Sequence, residues 1–232
     1  MIIQNKRLNS KPLIVHAQGT SHKTDKWLNI NKSNHLIDKN TLSNDITILT
    51  FTNGDIYFSL INQLEYSGVN YINAGENIVN WKNTDKMKLI IESIENIKTP
   101  YILCLDAVDV LCSYDLSDLL NRFESFDCDI LYNASVINYP NICNDIEESE
   151  SIFNTLNTGA FIGKTESIKN FYQYIIDLDL KSDIPMFEYS EQLRVRNGRQ
   201  TYSGIKVDTE CVIFQTLNGS KYVFTNDILF IA

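Results

Sequence analysis

Two carboxylates, Asp106 and Asp109, directly follow an apolar run, Tyr101-Ile102-Leu103-Cys104-Leu105. In open α/β sheets, ligands bind at the carboxyl ends of strands. A tight turn of this length lets both side chains face one point. Hard oxygen donors suit Mg²⁺ or Mn²⁺. An ion held there would neutralise a diphosphate and help it depart as a leaving group. An Asp after a strand can also simply cap a turn or the next helix, and D-x-x-D spacing alone does not separate the two readings.

A site at a strand end needs elements to place it. Ile46 to Phe51 reads as a buried strand. Tyr57, Leu60, Ile61 and Leu64 follow at helical spacing, with Asp55 as N-cap and Gly68 as the stop. Val69 to Ile72 is a second strand. Asp85 caps a helix with apolar residues Met87, Ile90, Ile91 and Ile94, and Tyr101 to Leu105 is the third strand. Leu116, Leu119, Leu120 and Phe123 mark a further helix, Asp129 to Tyr132 a strand, and Ile168, Phe171, Tyr172 and Ile175 another helix. Short strands are expected near Ala160–Ile162, Ile205–Val207, Val212–Phe214 and Tyr222–Phe224. This alternation predicts an α/β fold with a mostly parallel sheet and helices on both sides. Before it, residues 1–12 are polar and read as frayed. Leu13-Ile14-Val15 is a short strand ending at His16. Residues 18–44 read as a surface excursion or linker, in which Trp27, Leu28 and Ile30 need a surface to pack on.

The 232 residues fit one large domain. Hydrophobic residues at 44% and charged residues at 21% match an ordinary globular protein. The net charge of -9 argues against a general nucleic-acid binder, which needs Lys and Arg for phosphates. A nucleotide ligand stays open, since a metal ion can bridge acidic residues and a phosphate. The five cysteines form no C-x-x-C pair, which disfavours a zinc ribbon or a complete disulfide framework and fits a reducing compartment. From the polar start no signal peptide is expected, and no apolar run approaches the ~20 residues of a membrane span. A cytoplasmic protein without a membrane span is expected. Asn133-Ala134-Ser135 matches a glycosylation sequon, but at an expected strand end of a protein expected to be intracellular, and is set aside on those grounds.

Several segments together carry a family resemblance. The run Ile102-Leu-Cys-Leu-Asp106-Ala-Val-Asp109-Val-Leu111 resembles the "DxxD" strand of the glycosyltransferase domain of procollagen lysyl hydroxylase–glycosyltransferases and related collagen galactosyltransferase-like proteins. Trp81 and Lys86 resemble its "W…K" segment. Ile130 to Ser135 with Tyr139-Pro140 resembles "vvFsAE…yP". Leu156-Asn157-Thr158-Gly159-Ala160-Phe161-Ile162-Gly163 resembles "LNSGGFIG", and Glu191-Gln192 resembles its "D-Q" pair. Val207-Asp208 through Ile213-Phe214-Gln215 to Asn218-Gly219 resembles "LD…IFQNLNG". The family's C-terminal "HGNG" segment has its counterpart at the other end of this chain, in His16-Ala17-Gln18-Gly19 with Lys23 and Trp27-Leu28-Asn29. The order therefore resembles a circular permutation, which nearby domain termini permit; otherwise His16 is incidental, or the first ~40 residues belong to a neighbouring unit of a longer parent. Residues 1–44 would be the displaced segment and 45–232 the remainder of one structural domain.

The resemblance implies a GT-A-type, Rossmann-like mixed sheet flanked by helices. It implies that His16, Asp106 and Asp109 hold Mn²⁺ or Mg²⁺, and that Trp81 stacks on a uracil ring. Thr50, Phe51 and Thr52 would touch the base and ribose. Val108 would lie beside the nucleotide, where the family usually has an aromatic residue. Gln18, Gly19, Lys23 and Lys86 would meet the diphosphate, although Ala17 and Gln18 replace the family's Gly and Asn. Asn157 and Gly159 would frame the donor sugar, with Gly159 permitting close backbone approach. Glu191 would be the carboxylate near the acceptor hydroxyl or donor sugar, as base or orienting group. The implied reaction is Mn²⁺-dependent transfer of galactose or glucose from a UDP-sugar to a hydroxyl acceptor on a protein or glycan. The departures at Ala17, Gln18, Val108 and Ser190 keep a non-catalytic nucleotide-sugar-binding module as the alternative, and the same carboxylates would also serve a phosphate-ester hydrolase.

Overall fold

The computed structural model describes residues 1–19, 23, 25–31, 35–53, 59–76, 78–139, 145–179, 191–217 and 228–231. In chain order the first elements are β1 (Ile2–Asn5), β2 (Ile14–His16), α1 (Asp25–Asn31), β3 (Ile46–Phe51), α2 (Ser59–Ser67) and β4 (Tyr71–Asn73). Next come α3 (Asp85–Ile94), β5 (Tyr101–Asp106), β6 (Val110–Cys112), α4 (Leu119–Ser125) and β7 (Ile130–Ser135). The last are β8 (Thr155–Lys164), α5 (Thr165–Asp179), α6 (Glu191–Gly198), β9 (Ile205–Asp208), β10 (Phe214–Thr216) and β11 (Ile228–Ile231).

The main sheet has the order β4-β3-β5-β8-β7-β9, and β8 runs antiparallel to both its neighbours while the other pairs are parallel. This is a mixed α/β sheet flanked by helices, as expected. Its central strands are buried on both faces, so successive side chains enter different cores. Leu49, Ile102, Cys104 and Phe161 join one core with Met87, Ile90, Phe171 and Ile175 of α3 and α5. Ile48, Leu103, Leu105 and Ile162 join the other with Leu60, Leu64, Leu119 and Phe123 of α2 and α4.

A second sheet, β10-β2-β6, stands beside the carboxyl end of β5. β2 is parallel to β10 and antiparallel to β6, which places His16 opposite Val110 and Thr216. Asp208 seats this sheet. Its carboxylate accepts the backbone N–H of Val212 (2.8 Å), Ile213 (2.7 Å) and Phe214 (2.8 Å). Asp208→Ala leaves three N–H groups without an acceptor, two of them buried, at a cost of about 1 kcal/mol or more each. The expected net loss is about 2–3 kcal/mol, a fall in melting temperature of roughly 4–12 °C for a chain of this size. A calorimetric melt within 1–2 °C of the parent, roughly its resolution against that scale, would overturn this role.

Two local readings are corrected. The N-terminus is not frayed: β1 pairs antiparallel with β11, and Met1 and Ile3 are buried. The stretch 18–44 carries helix α1, whose Trp27 is buried in the core. Boundaries also move: the second strand begins at Tyr71 rather than Val69, and β10 begins at Phe214 rather than Val212. Thr84 occupies the N-cap of α3, and Asp85 is its first residue. Gly68 ends α2 with φ +63°, as read. Cys104, Cys112, Cys128 and Cys211 are free thiols. His22, Asp55, Tyr57, Pro140, Cys143, Ser190, Asn218, Gly219 and the strand near Tyr222–Phe224 lie outside the described residues.

Candidate active site

β5 ends at Asp106, a bend covers Ala107 to Asp109, and β6 begins at Val110. The start of α2 fixes that bend: Leu60 N–H donates to the Ala107 carbonyl (3.1 Å) and Ser59 N–H to that of Val108 (3.4 Å). On its other side, Ala17 N–H donates to the Asp109 carbonyl (2.7 Å). The β2–β6 ladder therefore delivers His16 to the carboxylates. Its Nε2 lies 3.4 Å from Asp109 Oδ1 and 4.0 Å from Asp106 Oδ2. One donor atom from each of the three residues falls within 4.8 Å of the others. Neither carboxylate accepts a backbone N–H among the described residues, so the capping alternative is set aside.

Mg²⁺ holds its ligands at about 2.1 Å, so adjacent donors on one octahedral ion sit roughly 3 Å apart and opposite ones about 4.2 Å apart. The two separations from His16 Nε2, 3.4 and 4.0 Å, fall between these values. Two carboxylates suit Mg²⁺ or Mn²⁺, and an imidazole tilts the set toward the transition metal. Burial alone would lower the His16 value, but Asp109 and Asp106 together raise it above the ordinary one.

Lys86, which the resemblance places at the diphosphate, is buried in the cavity wall, with Nζ 2.9 Å from Asp106 Oδ1, 2.8 Å from the Thr158 carbonyl and 3.4 Å from Glu191 Oε2. Phe51 and Phe161 lie beside the ammonium, their ring centroids 5.3 and 5.9 Å away. Burial disfavours its charge, but the carboxylates of Asp106 and Glu191 outweigh that and hold Lys86 above the usual lysine value. Lys86 occupies one oxygen of Asp106 while the other faces His16. Glu191 is also buried and accepts a hydrogen bond from the Tyr172 hydroxyl. Burial raises its carboxyl above the ordinary range against the opposing pull of Lys86 and Tyr172.

β8 supplies the floor. The β7–β8 register jumps from Tyr132↔Phe161 to Asn133↔Asn157, so Thr158 to Ala160 bulge out of the ladder. Bulges of this kind re-aim side chains beside active sites. Asn157 Oδ1 accepts the Gly159 N–H (2.9 Å) and tightens the bulge. A Cβ built at Gly159 would lie 2.1 Å from His16 Cε1, so the glycine makes room for the imidazole rather than first for a sugar.

These groups line a cavity of about 410 Å³, within the range of small-molecule sites. Of the expected residues, His16, Gln18, Gly19, Phe51, Trp81, Lys86, Asp106, Val108, Asp109, Asn157, Gly159 and Glu191 line it. Thr50, Thr52 and Lys23 do not. Thr50 is buried and donates to the Leu105 carbonyl (2.8 Å), and Thr52 N–H donates to Asn73 Oδ1 (3.0 Å), so both shape the strand end behind the wall. Lys23 is exposed. Asn83, Tyr139 and Gln192 line the cavity without having been singled out as site residues. Gln192 and Tyr139 stood in recognisable segments, but nothing local to Asn83 marked it.

The PLOD GT domain family model matches residues 65–227, more than half of the chain. The match contains Asp106, Asp109, Asn157, Gly159 and Glu191 and leaves His16 outside. The chain is 26% identical over 155 residues to procollagen-lysine,2-oxoglutarate 5-dioxygenase of Drosophila melanogaster, covering 61% of this chain and 21%, about a fifth, of that protein. Among solved structures, it is similar to a glycosyltransferase involved in the glycosylation of the major capsid of PBCV-1 (TM-score 0.41, 15% identity, covering 70% of this chain and 81% of that one). It is also similar to the bifunctional IspDF from Campylobacter jejuni (TM-score 0.40, 11% identity, 78% and 52% covered). Among the described residues no helix is long and apolar enough to cross a membrane.

Proposed function

This chain belongs to the PLOD GT domain family, and on that premise we propose that it moves galactose or glucose from a UDP-sugar to a hydroxyl acceptor, with Mn²⁺ held by His16, Asp106 and Asp109. The observation that carries the proposal is the convergence of these three donors at a strand end, within 4.8 Å of one another, in the wall of a cavity. When bound, the ion supplies positive charge to the departing diphosphate.

The chain's own residues would do the rest. Trp81, Phe51 and Val108 offer an apolar wall for the uracil. Gln18 and Gly19 line the same cavity as His16, which suits them to contact a diphosphate on the ion. Asn157 and Gly159 border the donor sugar. Glu191 is engaged by Lys86 and Tyr172, which fits a carboxylate that orients a sugar hydroxyl better than a free base. The small sheet also supports the permuted order. β2 lies beside β10, where the last family-like segment ends, so residues 1–44 would complete one structural domain with 45–232.

The test is UDP release from UDP-galactose and UDP-glucose, with Mn²⁺ or with a chelator. Release is expected with Mn²⁺ alone, and Asp109→Ala is expected to lower it by at least roughly 100-fold, about 2.7 kcal/mol of barrier. Unchanged turnover in Asp109→Ala would sink the metal assignment. Tight UDP binding without sugar release would mark a binding module, and release of inorganic phosphate would mark a hydrolase.

A further inference from the structure

The sequon asparagine has a different place in the fold. Asn133 is fully buried in β7, where no glycan fits in the folded chain. Its Nδ2 lies 3.4 Å from His16 Nδ1, and its Oδ1 accepts from Thr216 Oγ1 (2.8 Å). Thr216 Oγ1 also lies within hydrogen-bond reach of the Ala134 carbonyl. One hydroxyl hydrogen thus stands before two acceptors. On the other side, an amide N–H facing Nδ1 demands that Nδ1 be bare, leaving the histidine proton on Nε2. That is the nitrogen directed at Asp106 and Asp109.

Turning the carboxamide end for end removes the conflict at Thr216 and frees Nε2 to ligate an ion, because the two amide atoms occupy nearly the same space. His16 Nδ1–H then donates to Asn133 Oδ1, Asn133 Nδ2–H to Thr216 Oγ1, and Thr216 Oγ1–H to the Ala134 carbonyl. Each of the three side chains then donates to one acceptor, and Nε2 is left bare toward the carboxylates. A histidine that ligates through one nitrogen commonly donates its other N–H to such a partner.

We propose that Asn133, backed by Thr216, is a positioning residue that fixes the His16 tautomer able to ligate a divalent ion. The inference rests on the proposed metal site. Its elements agree: the register jump that bulges Thr158 to Ala160 begins at Asn133, and Thr216 is the ladder partner of His16.

The experiment is Mn²⁺ titration followed by electron paramagnetic resonance on the whole chain, beside thermal melts. Asn133→Ala is expected to weaken Mn²⁺ binding by about 10–100-fold. Asn133→Asp keeps an acceptor toward Nδ1 and is expected to restore binding to near the parent's, a rescue that a purely structural role would not give. Parent-like binding by Asn133→Ala while His16→Ala loses the ion overturns the inference and leaves the metal site standing. So does Asn133→Asp binding as weakly as Asn133→Ala. If His16→Ala binds Mn²⁺ like the parent, the metal site itself falls and takes this inference with it.

Discussion

Replacing Gly159 by alanine is expected to weaken divalent-ion binding severely while leaving the sheet folded. A Cβ at this position would stand 2.1 Å from His16 Cε1, 2.6 Å from Nε2 and 2.7 Å from Nδ1. The imidazole cannot simply lean aside. It is buried, and its strand is held by β10 on one side and β6 on the other. Either the ring turns away from Asp106 and Asp109, or the β8 bulge moves and carries Asn157 with it. The first outcome breaks the donor set, and the second moves the Thr158 carbonyl that holds Lys86 against Asp106. Mn²⁺ affinity and UDP-sugar turnover should each fall by at least roughly 100-fold, the upper end of what disturbing a ligand's surroundings costs. Overpacking costs about 1–3 kcal/mol, so the melting temperature should drop by only about 2–12 °C. A Gly159→Ala chain that binds Mn²⁺ with the parent's affinity would show that the ring is not confined as described.

That glycine marks where the sequence was legible and where it was not. Its need for a bare backbone could be read from the N-x-G segment, but its neighbour could not. His16 lies 143 positions earlier by numbering (159 minus 16) and reaches Gly159 through the β2–β6 pairing. The alternating strands and amphipathic helices from Ile46 to Tyr132 were readable because their periods are local. The pairing of β1 with β11 was not, since neither strand shows its partner in its own composition and each buries apolar residues only once both are in place. The same limit hid Lys86. A lysine at a helix start usually projects into water, and only the meeting of α3 with β5, β8 and α6 encloses it between two carboxylates. Asn133 was legible as a residue type but misleading as a motif, because the sequon pattern is indifferent to burial.

Lys86→Met is expected to be the most destabilising of the substitutions considered. Glu191 is buried and would lose its cationic partner, keeping the Tyr172 hydroxyl. Removing one partner of a buried ion pair typically costs about 3–5 kcal/mol, a fall of roughly 6–20 °C in melting temperature for a chain of this length. The sign of the pH dependence follows. Burial already raises the Glu191 carboxyl, and Lys86 opposes that rise. Without the lysine, the folded-state value climbs further above the unfolded one, so folding takes up a proton and stability falls as pH rises through that window. The melting deficit of Lys86→Met should therefore be larger at about pH 8 than at about pH 5, near the ordinary glutamate range. Glu191→Gln preserves shape and leaves Lys86 with Asp106 and the Thr158 carbonyl, so its melt should stay close to the parent's. Combining the two changes should recover much of the loss, with a coupling of about 0.5–3 kcal/mol. Calorimetry at the two pH values checks the structural half. Turnover checks the other: if Glu191→Gln melts like the parent yet loses UDP-sugar turnover, Glu191 acts on the sugar, and if it keeps turnover, its carboxylate serves only to hold Lys86 and, through it, Asp106.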